Sequence, residues 1–374
     1  YDTKDAEGAI QRFRPVSYGE RLQVGEGVEV QFTDVGHLLG SACIELWLTE
    51  GEETRKIVFS GDVGNTNQPI IRDPVLLKKA DYVVMESTYG DRNHTEIWSY
   101  TDELAAIIDE TIGRGGNVII PAFAVGRTQE LLYFIREIKE RNLVPDHPDF
   151  PVYVDSPLAK RATTIFSGDL TGYIDEEAKE LVADGIKMFT FPGLNLCETA
   201  AESQALNAEQ TPKVIISASG MCDAGRIRHH LKHNLWRPES SVVFVGFQSP
   251  GTLGRHLLEG SESVKMFGEK IAVRAEIVNF QGRSSHADRD HLLEWIAAFK
   301  EPKPQHVFVV DGDRVVETGA PLELLQGASH PYSRALIRSI PGGGAKGSLW
   351  RQIVSDVLNL SVEKVEVDDS SFGS

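Results

Sequence analysis

The feature that most constrains the fold of this chain is a run of short apolar strands separated by helix-length segments. Beyond residue 102 these strands are predicted at residues 117–121, 151–154, 213–217 and 241–247. Residues 128–140 between the first two place leucine, isoleucine and phenylalanine side chains on one helical face and turn Arg136 outward. Strands and helices that alternate in this way form βαβ units around a parallel sheet. We therefore predict an α/β fold.

The segment before this region is strand-rich and carries three polar motifs, each directly after an apolar run. They place His37 in Gly-His-Leu-Leu-Gly, Asp62 in Ser-Gly-Asp-Val-Gly and Glu86 in Glu-Ser-Thr-Tyr-Gly. Ligands collect at strand ends in α/β sheets, and an imidazole beside a carboxylate suits zinc. His37 and Asp62 are too few to hold an ion alone, so the motifs indicate half of a metal site.

Charge and cysteine usage narrow the function classes. The net charge of -17 argues against a nonspecific coat on nucleic acid, although a local basic groove stays compatible with it. The three cysteines are far apart and lack CxxC spacing, so we expect neither a disulfide framework nor a thiolate zinc site. No apolar stretch approaches the roughly 20 residues of a membrane span. These features predict a cytoplasmic protein without membrane contact, although the first residue is Tyr1 rather than Met.

Two strand-to-helix junctions have the composition of anion-binding loops. One leads from residues 118–121 to Arg127, and the other leads through Ser219 and Gly220 to Arg226. Free backbone N–H groups and the helix dipole can receive a phosphate at such a position. For either loop alone, a glycine that simply permits the turn is the more frequent explanation. Together the two loops favour a polyanionic substrate.

Histidines elsewhere in the chain have competing interpretations. His286 and Asp288 share one turn, which can position a proton donor, but Asp288 as a helix cap with His286 packed locally is the simpler interpretation. His229 and His233 have the i, i+4 spacing of a metal pair. Lysine and arginine flank both residues, which favours a basic helix face.

Six motifs, in their order along the chain, resemble the β-CASP branch of the metallo-β-lactamase fold. They are Gly-His-Leu-Leu-Gly-Ser, Phe-Ser-Gly-Asp-Val-Gly, Glu-Ser-Thr-Tyr-Gly-Asp-Arg, Pro-Ala-Phe-Ala-Val-Gly-Arg-Thr-Gln-Glu-Leu-Leu, Ser-Ala-Ser-Gly-Met and Ser-Ser-His-Ala-Asp. The resemblance covers about residues 1–310 and is strongest to prokaryotic RNA-processing nucleases. Those enzymes are relatives of the eukaryotic pre-mRNA cleavage and polyadenylation endonuclease.

The resemblance implies a partial metallo-β-lactamase αββα sandwich with an inserted β-CASP domain, a parallel sheet flanked by helices. Residues 1–97 match the C-terminal part of the metallo-β-lactamase domain, and residues 98–263 match the β-CASP domain, which clamps single-stranded RNA over the metal site. Residues 264–310 match the return to the first domain, the RNA specificity region. The resemblance is compatible with a homodimer, since related enzymes often dimerise.

The resemblance also implies residue roles. His37 matches a metal-ligand histidine, and Asp62 matches the carboxylate that bridges two zinc ions. Glu86 and His286 match a pair in which the carboxylate orients an imidazole that protonates the leaving oxygen or holds the scissile phosphate. Two metals about 3.5–4 Å apart activate a bridging water for in-line attack on phosphorus. We expect RNA contacts from Arg127, Ser219, Gly220, Arg226 and Ser285.

Two departures from the family pattern concern the metal ligands. The family signature His-x-His-x-Asp-His does not occur, because none of the 11 histidines has another histidine two residues away. We expect that segment to lie before Tyr1, so that the chain is truncated at its N-terminus. The closing strand of the family ends in a zinc-ligand histidine, and Asp311 stands at that position. The chain therefore supplies part of the ligand set and is expected to be inactive or impaired as it stands.

The C-terminal residues resemble other families. Residues 311–341 resemble the tail of peptide-importer ABC transporter ATPases, and residues 342–374 are similar to the nucleotide-site helix of xylulokinase-type sugar kinases. Segments this short cannot bury a core of their own. Three unrelated resemblances joined without linkers indicate a chimeric reading frame.

The resemblance implies a zinc-dependent ribonuclease that hydrolyses phosphodiester bonds of single-stranded RNA, in RNA processing or decay. It does not distinguish internal cleavage from trimming at an end, nor does it identify the RNA. A non-catalytic RNA-binding module and a structural fragment of such a nuclease are the alternatives.

Overall fold

The computed structural model describes residues 2–94, 99–280, 284–300, 303–311 and 314–319. The strands, numbered in chain order, are β1 (Leu22–Gly25), β2 (Val28–Asp34), β3 (Ala42–Glu50), β4 (Glu53–Phe59), β5 (Tyr82–Glu86), β6 (Val118–Pro121), β7 (Val152–Val154), β8 (Leu194–Leu196), β9 (Val214–Ser217), β10 (Ser241–Phe244), β11 (Ser263–Met266), β12 (Glu269–Ala272), β13 (Glu276–Asn279), β14 (His306–Asp311) and β15 (Arg314–Gly319). The helices are α1 (Thr3–Ile10), α2 (Tyr100–Gly113), α3 (Arg127–Glu140), α4 (Pro157–Phe166), α5 (Glu176–Ala183), α6 (Ala200–Ala208), α7 (Ile227–Asn234), α8 (Leu253–Leu258) and α9 (Arg289–Ala297).

A seven-stranded mixed sheet joins the two ends of the described chain, in the order β1-β2-β3-β4-β5-β14-β15. The first four strands pair antiparallel, and β5 pairs parallel with both β4 and β14. Helix α9 covers this sheet, with Trp295 in the same apolar cluster as Val83 and Val307. Burial of these side chains holds the C-terminal strand beside β5. The polar end of β5, Glu86, therefore lies at an edge built from distant parts of the sequence.

The second sheet has six strands, all paired in parallel, in the order β13-β10-β6-β9-β7-β8. The sheet confirms the predicted parallel pairing and the α/β class, and four of its strands, β6, β7, β9 and β10, have ends within three residues of the predicted ones. Strand β6 lies between β10 and β9, and its residues are all buried. The carboxyl ends of β6, β9, β10 and β13 share one edge, which is where ligands bind in sheets of this kind.

Helix α3 confirms the predicted helix, but the expectation that Arg136 turns outward is wrong. Arg136 is 4% exposed, its guanidinium pairs with Glu140, and it lies over the ring of Tyr133. The helix contacts α2 and α4 as well as the sheet, so a face that would be solvated in a surface helix is covered. The spacing of apolar residues identified the face of α3 that packs in the core. It could not show that α2 and α4 bury part of the polar face as well.

The cysteines, the helices and the C-terminal segments bear on further predictions from the sequence. Cys43, Cys197 and Cys222 are free and buried, as expected for a chain without a disulfide framework. Among the described residues, none of the helices has the length and apolar character needed to cross a membrane. Strand β15 pairs antiparallel with β14. Apart from residues 311 and 314–319, the segments predicted to resemble an ATPase tail and a sugar kinase lie outside the described residues.

Candidate metal centre

Three loops meet at the edge of the mixed sheet and are joined by backbone hydrogen bonds. The amide of Gly64 donates to the carbonyl of Val35 at 2.8 Å, which connects the loop after β4 to the loop after β2. The amide of Ala287 donates to the carbonyl of Val63 at 2.7 Å, which connects the same loop to the turn before α9. These bonds bring His37, Asp62 and the turn at His286 together.

Glycine at two positions allows the loops to approach this closely. A Cβ on Gly64 would lie 1.9 Å from the carbonyl oxygen of Gly36 and 2.6 Å from the amide nitrogen of His37. Gly36 has a φ of +65°, and a Cβ there would lie 2.7 Å from the carbonyl oxygen of Arg72. The glycines of the Gly-His and Gly-Asp-Val-Gly motifs are therefore required by backbone packing.

His37 is held in the tautomer that suits a metal ligand. Its Nδ1 lies 3.0 Å from the carbonyl of Ser285 and donates to it, so the unprotonated Nε2 faces Asp62, whose Oδ2 is 3.8 Å away. Burial, followed by the charge of His286, lowers the pKa of His37 below its ordinary value. A neutral imidazole oriented through its second nitrogen is the form that binds zinc. The Asp62 side chain is 60% exposed.

Glu86 and His286 form a second, more buried pair. The amides of Val63 and Thr88 donate to the Glu86 carboxylate, which also accepts from His286 Nδ1 at 3.2 Å. Burial alone would lower the pKa of His286, but the hydrogen bond and the charge of Glu86 outweigh it and raise that pKa. The pair therefore favours a protonated imidazole whose Nε2 is aimed away from Glu86, the arrangement of a proton donor.

The donor set fits zinc in type. Ligand atoms of His37, Asp62 and His286 all lie within 4.8 Å of one another. The free Nε2 of His37 and the exposed Asp62 carboxylate are the nitrogen and oxygen ligands that zinc takes. His286 can serve either as a third ligand or as the proton donor described above. Asp311 ends β14 one residue after Val310, which pairs with Glu86.

The metal centre opens into a cleft of about 1250 Å³. His37, Ser285 and His286 line one wall. The opposite wall consists of residues that follow the parallel strands, among them Phe123 after β6 and Phe247 after β10. The cleft thus joins the two sheets at their ligand-binding edges.

Comparison with known proteins identifies the family. The family model of the Beta-Casp domain matches residues 128–257, and that of the Zn-dependent metallo-hydrolase RNA specificity domain matches residues 270–317. Ribonuclease TTHA0252 of Thermus thermophilus is 38% identical over 313 residues, which cover 84% of this chain and 69% of that protein. The chain belongs to the β-CASP family of metallo-β-lactamase-type nucleases. The family resemblance predicted from the six motifs is confirmed.

Other relatives agree with this assignment. The RNase J-like protein of Methanocaldococcus jannaschii is 32% identical over 318 residues, covering 84% of the β-CASP chain and 70% of the relative. Transcription termination factor FttA of Methanosarcina mazei is 30% identical over 326 residues, and the chain spans about half of it, 49%. By family, the β-CASP chain is a hydrolase of the ribonuclease type, and RNA is its substrate class.

The residues predicted to contact RNA fall into two groups. Arg127 and Ser285 line the cleft, and the Arg127 guanidinium is paired with Glu130. Arg226 does not line the cleft. Its guanidinium donates to Asp155 at 2.7 Å and to the carbonyl of Glu198 at 2.7 Å.

The loop before Arg226 has local functions in the structure. The Ser219 hydroxyl donates to the carbonyl of Ala224 at 3.2 Å. Gly220 is buried beneath Phe123, and its carbonyl accepts a hydrogen bond from Gln248. These contacts position the loop whether or not it also meets RNA.

Two of the histidines of α7 have structural partners. His230 is fully buried and bonds to Asp155 at 2.7 Å, while His229 stacks on Phe267 with ring centroids 4.6 Å apart. Burial alone would raise the pKa of Asp155, but hydrogen bonds from His230, Ser203 and Arg226 hold it below its ordinary value. The sequence gives no sign of this network, since Asp155 belongs to no recognisable motif and only follows β7.

Proposed function

We propose that the protein is a zinc-dependent ribonuclease that hydrolyses phosphodiester bonds of single-stranded RNA, with His37 and Asp62 as metal ligands. The observation that carries the proposal is the convergence of His37, Asp62 and His286 in a β-CASP chain, beside a cleft that His37 and His286 line. The oriented Nε2 of His37 and the hydrogen-bonded Glu86–His286 pair give these residues separate chemical roles.

Bound zinc supplies a more acidic water and neutralises charge on the phosphate. The attacking water releases one proton to solvent and forms the new P–O bond as the bond from phosphorus to the leaving oxygen breaks. His286 gives its Nε2 proton to that oxygen, and Glu86 holds the ring in place and stabilises its charged form. Ser285 fixes His37 through its carbonyl, so one turn positions both the ligand and the proton donor.

Cleavage of a fluorescently labelled, unstructured oligoribonucleotide tests this proposal. We expect slow, zinc-stimulated hydrolysis by the purified chain, because the sequence supplies only part of the family's ligand set. Asp62→Ala should abolish hydrolysis, since the metal ligand is lost while an exposed side chain contributes little to folding. His256→Ala, an exposed histidine that does not line the cleft, is the matched control and should cleave like the wild type. Equal cleavage by the wild type and Asp62→Ala would contradict the proposal.

A second candidate is an RNA-binding module without catalysis. The observation in its favour is that the 11 histidines include no His-x-His pair, so the family signature does not occur in these residues. This candidate predicts RNA binding that weakens with salt and no turnover after zinc or manganese is added.

We also propose that the protein acts in the cytoplasm, a compartment in which three free thiols persist. The domain boundaries at residues 97, 263 and 310 and a homodimer are further proposals from the family resemblance. Limited proteolysis tests the boundaries, and light scattering with mass determination tests the dimer.

A further inference from the structure

Two phenylalanines on the cleft wall opposite the metal centre are unusually exposed. Phe123 is 50% exposed and Phe247 is 45% exposed, whereas Phe134, Phe244 and Phe280 nearby are at most 5% exposed. A single exposed ring needs no explanation, but two exposed rings that line one cleft are candidates for contact with a ligand. Both rings line the same cleft as His286.

Their positions in the sheet place them side by side. Strands β6 and β10 pair in parallel, with Val118 opposite Ser241 and Ile119 opposite Val242. Phe123 lies two residues after the end of β6, and Phe247 lies three residues after the end of β10. Adjacent parallel strands therefore deliver the two rings to one edge of the sheet.

Gly220 supports the Phe123 ring from below. A Cβ on Gly220 would lie 3.3 Å from Cδ2 and 3.4 Å from Cε2 of Phe123, a contact tighter than ordinary packing. The ring is thus supported by bare backbone, which limits its motion while half of its surface stays open. A supported, half-exposed ring is what a planar partner needs in order to stack.

The arginines that line the cleft, among the described residues, each lie beside an acidic side chain. Arg127 pairs with Glu130, and Arg255 pairs with Glu259 at 2.7 Å. Arg92 lies 3.4 Å from Asp91. Arginines held by acidic neighbours offer less to a phosphate backbone than unpaired ones, so these three arginines contribute little electrostatic affinity for RNA.

We propose that Phe123 and Phe247 are positioning residues that stack on successive bases of an unpaired RNA strand and so place one phosphodiester at His286. This inference rests on the proposed function and adds the mode of recognition. Stacking accepts any base, because every base has a π-face, but it requires that the base be unpaired. The strand is thus selected by its single-stranded state and held mainly by its bases.

Binding measured by fluorescence anisotropy in EDTA, where hydrolysis is suppressed, tests the inference. The probe is a labelled oligouridylate, compared with a strand of equal length that carries abasic sites and with a duplex. Phe123→Ala and Phe247→Ala should each weaken oligouridylate binding by about 5- to 150-fold. Phe123→Trp should bind at least as well as the wild type. Abasic strand and duplex should bind weakly to all variants.

Phe267→Ala is the matched control, because Phe267 is 46% exposed but lies on the β11–β12 turn, outside the cleft. It should bind like the wild type. For the wild type, the plot of log Kd against log salt should have a slope no steeper than about 1.4, which corresponds to two phosphate contacts. Unchanged affinity in both alanine variants, or equal affinity for the abasic strand, would overturn base stacking alone. Absence of RNA binding by the wild type would overturn the proposed function together with it.

Discussion

The two walls of the cleft are built by different means. The wall that carries His37 and His286, the proposed metal wall, is fixed by backbone contacts, with Gly64 packed against Gly36 so closely that no side chain fits. The wall that carries Phe123 and Phe247, the proposed recognition wall, presents exposed rings to the cleft. It extends from the parallel sheet, where the buried carboxylate of Asp155 after β7 binds Arg226 and His230. Chemistry needs ligand atoms at fixed positions, whereas recognition of a variable strand tolerates a surface held by side chains.

The largest effect should come from Asp155→Ala, which breaks a buried side-chain network in the parallel sheet that carries the recognition wall. The variant leaves the Arg226 guanidinium and the fully buried His230 without their shared partner. Loss of one partner from a buried charged network costs about 3–5 kcal/mol of unfolding free energy. Chemical denaturation measures this loss. Metal content per folded chain should stay unchanged, and a parallel loss of metal would show that the walls are not independent.

The stability difference between the wild type and Asp155→Ala depends on pH, and its direction follows from the pKa of Asp155. Because its pKa is depressed in the folded protein, its stabilising contribution is complete above the unfolded value of about 3.9 and disappears as pH falls through the folded value. The stability difference between the wild type and Asp155→Ala should therefore shrink below about pH 4. A difference that stays constant from neutral pH to pH 3 would contradict the assignment.

Gly64→Ala should have the next largest effect and act on the metal wall. Its Cβ would lie 1.9 Å from a backbone oxygen, so the loop must move, at a cost of about 1–3 kcal/mol as in other overpacked sites. Zinc binding and RNA cleavage should fall together, while RNA binding in EDTA should be retained. The control is Gly172→Ala, where a Cβ has no neighbour within 4 Å and stability should change by less than about 0.5 kcal/mol.

Gly220→Ala should have the smallest effect and sharpen the account of the recognition wall. The added methyl lies 3.3 Å from the Phe123 ring, which can give by a few tenths of an ångström. We expect RNA affinity to fall by a factor of about 2–5, less than one stacking contact is worth, with stability within about 1 kcal/mol of the wild type. An affinity loss as large as that of Phe123→Ala would mean that Gly220 itself contacts RNA.

The sequence predicted what depends on local pattern. Buried strands such as β6 and the apolar face of α3 follow from the spacing of hydrophobic residues. The contact between Glu86 and His286, 200 residues apart, was reached only through the family resemblance, because no local pattern encodes it. Arg226 has the local pattern of an anion-binding residue, yet a tertiary partner, Asp155, occupies its guanidinium.

The exposure of Phe123 illustrates the other limit of sequence reasoning. Phe123 follows a buried strand within Pro-Ala-Phe-Ala, and nothing in that pattern distinguishes a core ring from a surface one. Whether it is covered depends on β10 and on the loop carrying Gly220, which are about 100 residues away along the chain. Packing between distant segments decides the role of such a residue.

The most direct test of the central claim is the zinc content of the purified, dialysed chain, measured by elemental analysis. The account predicts zinc above the buffer background, but below one equivalent, in the wild type and in His256→Ala, because the chain supplies only part of the ligand set. It predicts loss of that zinc in His37→Ala, and its retention in His286→Ala with slower cleavage. Loss of zinc in His286→Ala would make that residue a ligand rather than the proton donor. A wild-type chain without zinc, or a His37→Ala variant with as much zinc as the wild type, would contradict the claim that this edge of the sheet is a metal centre.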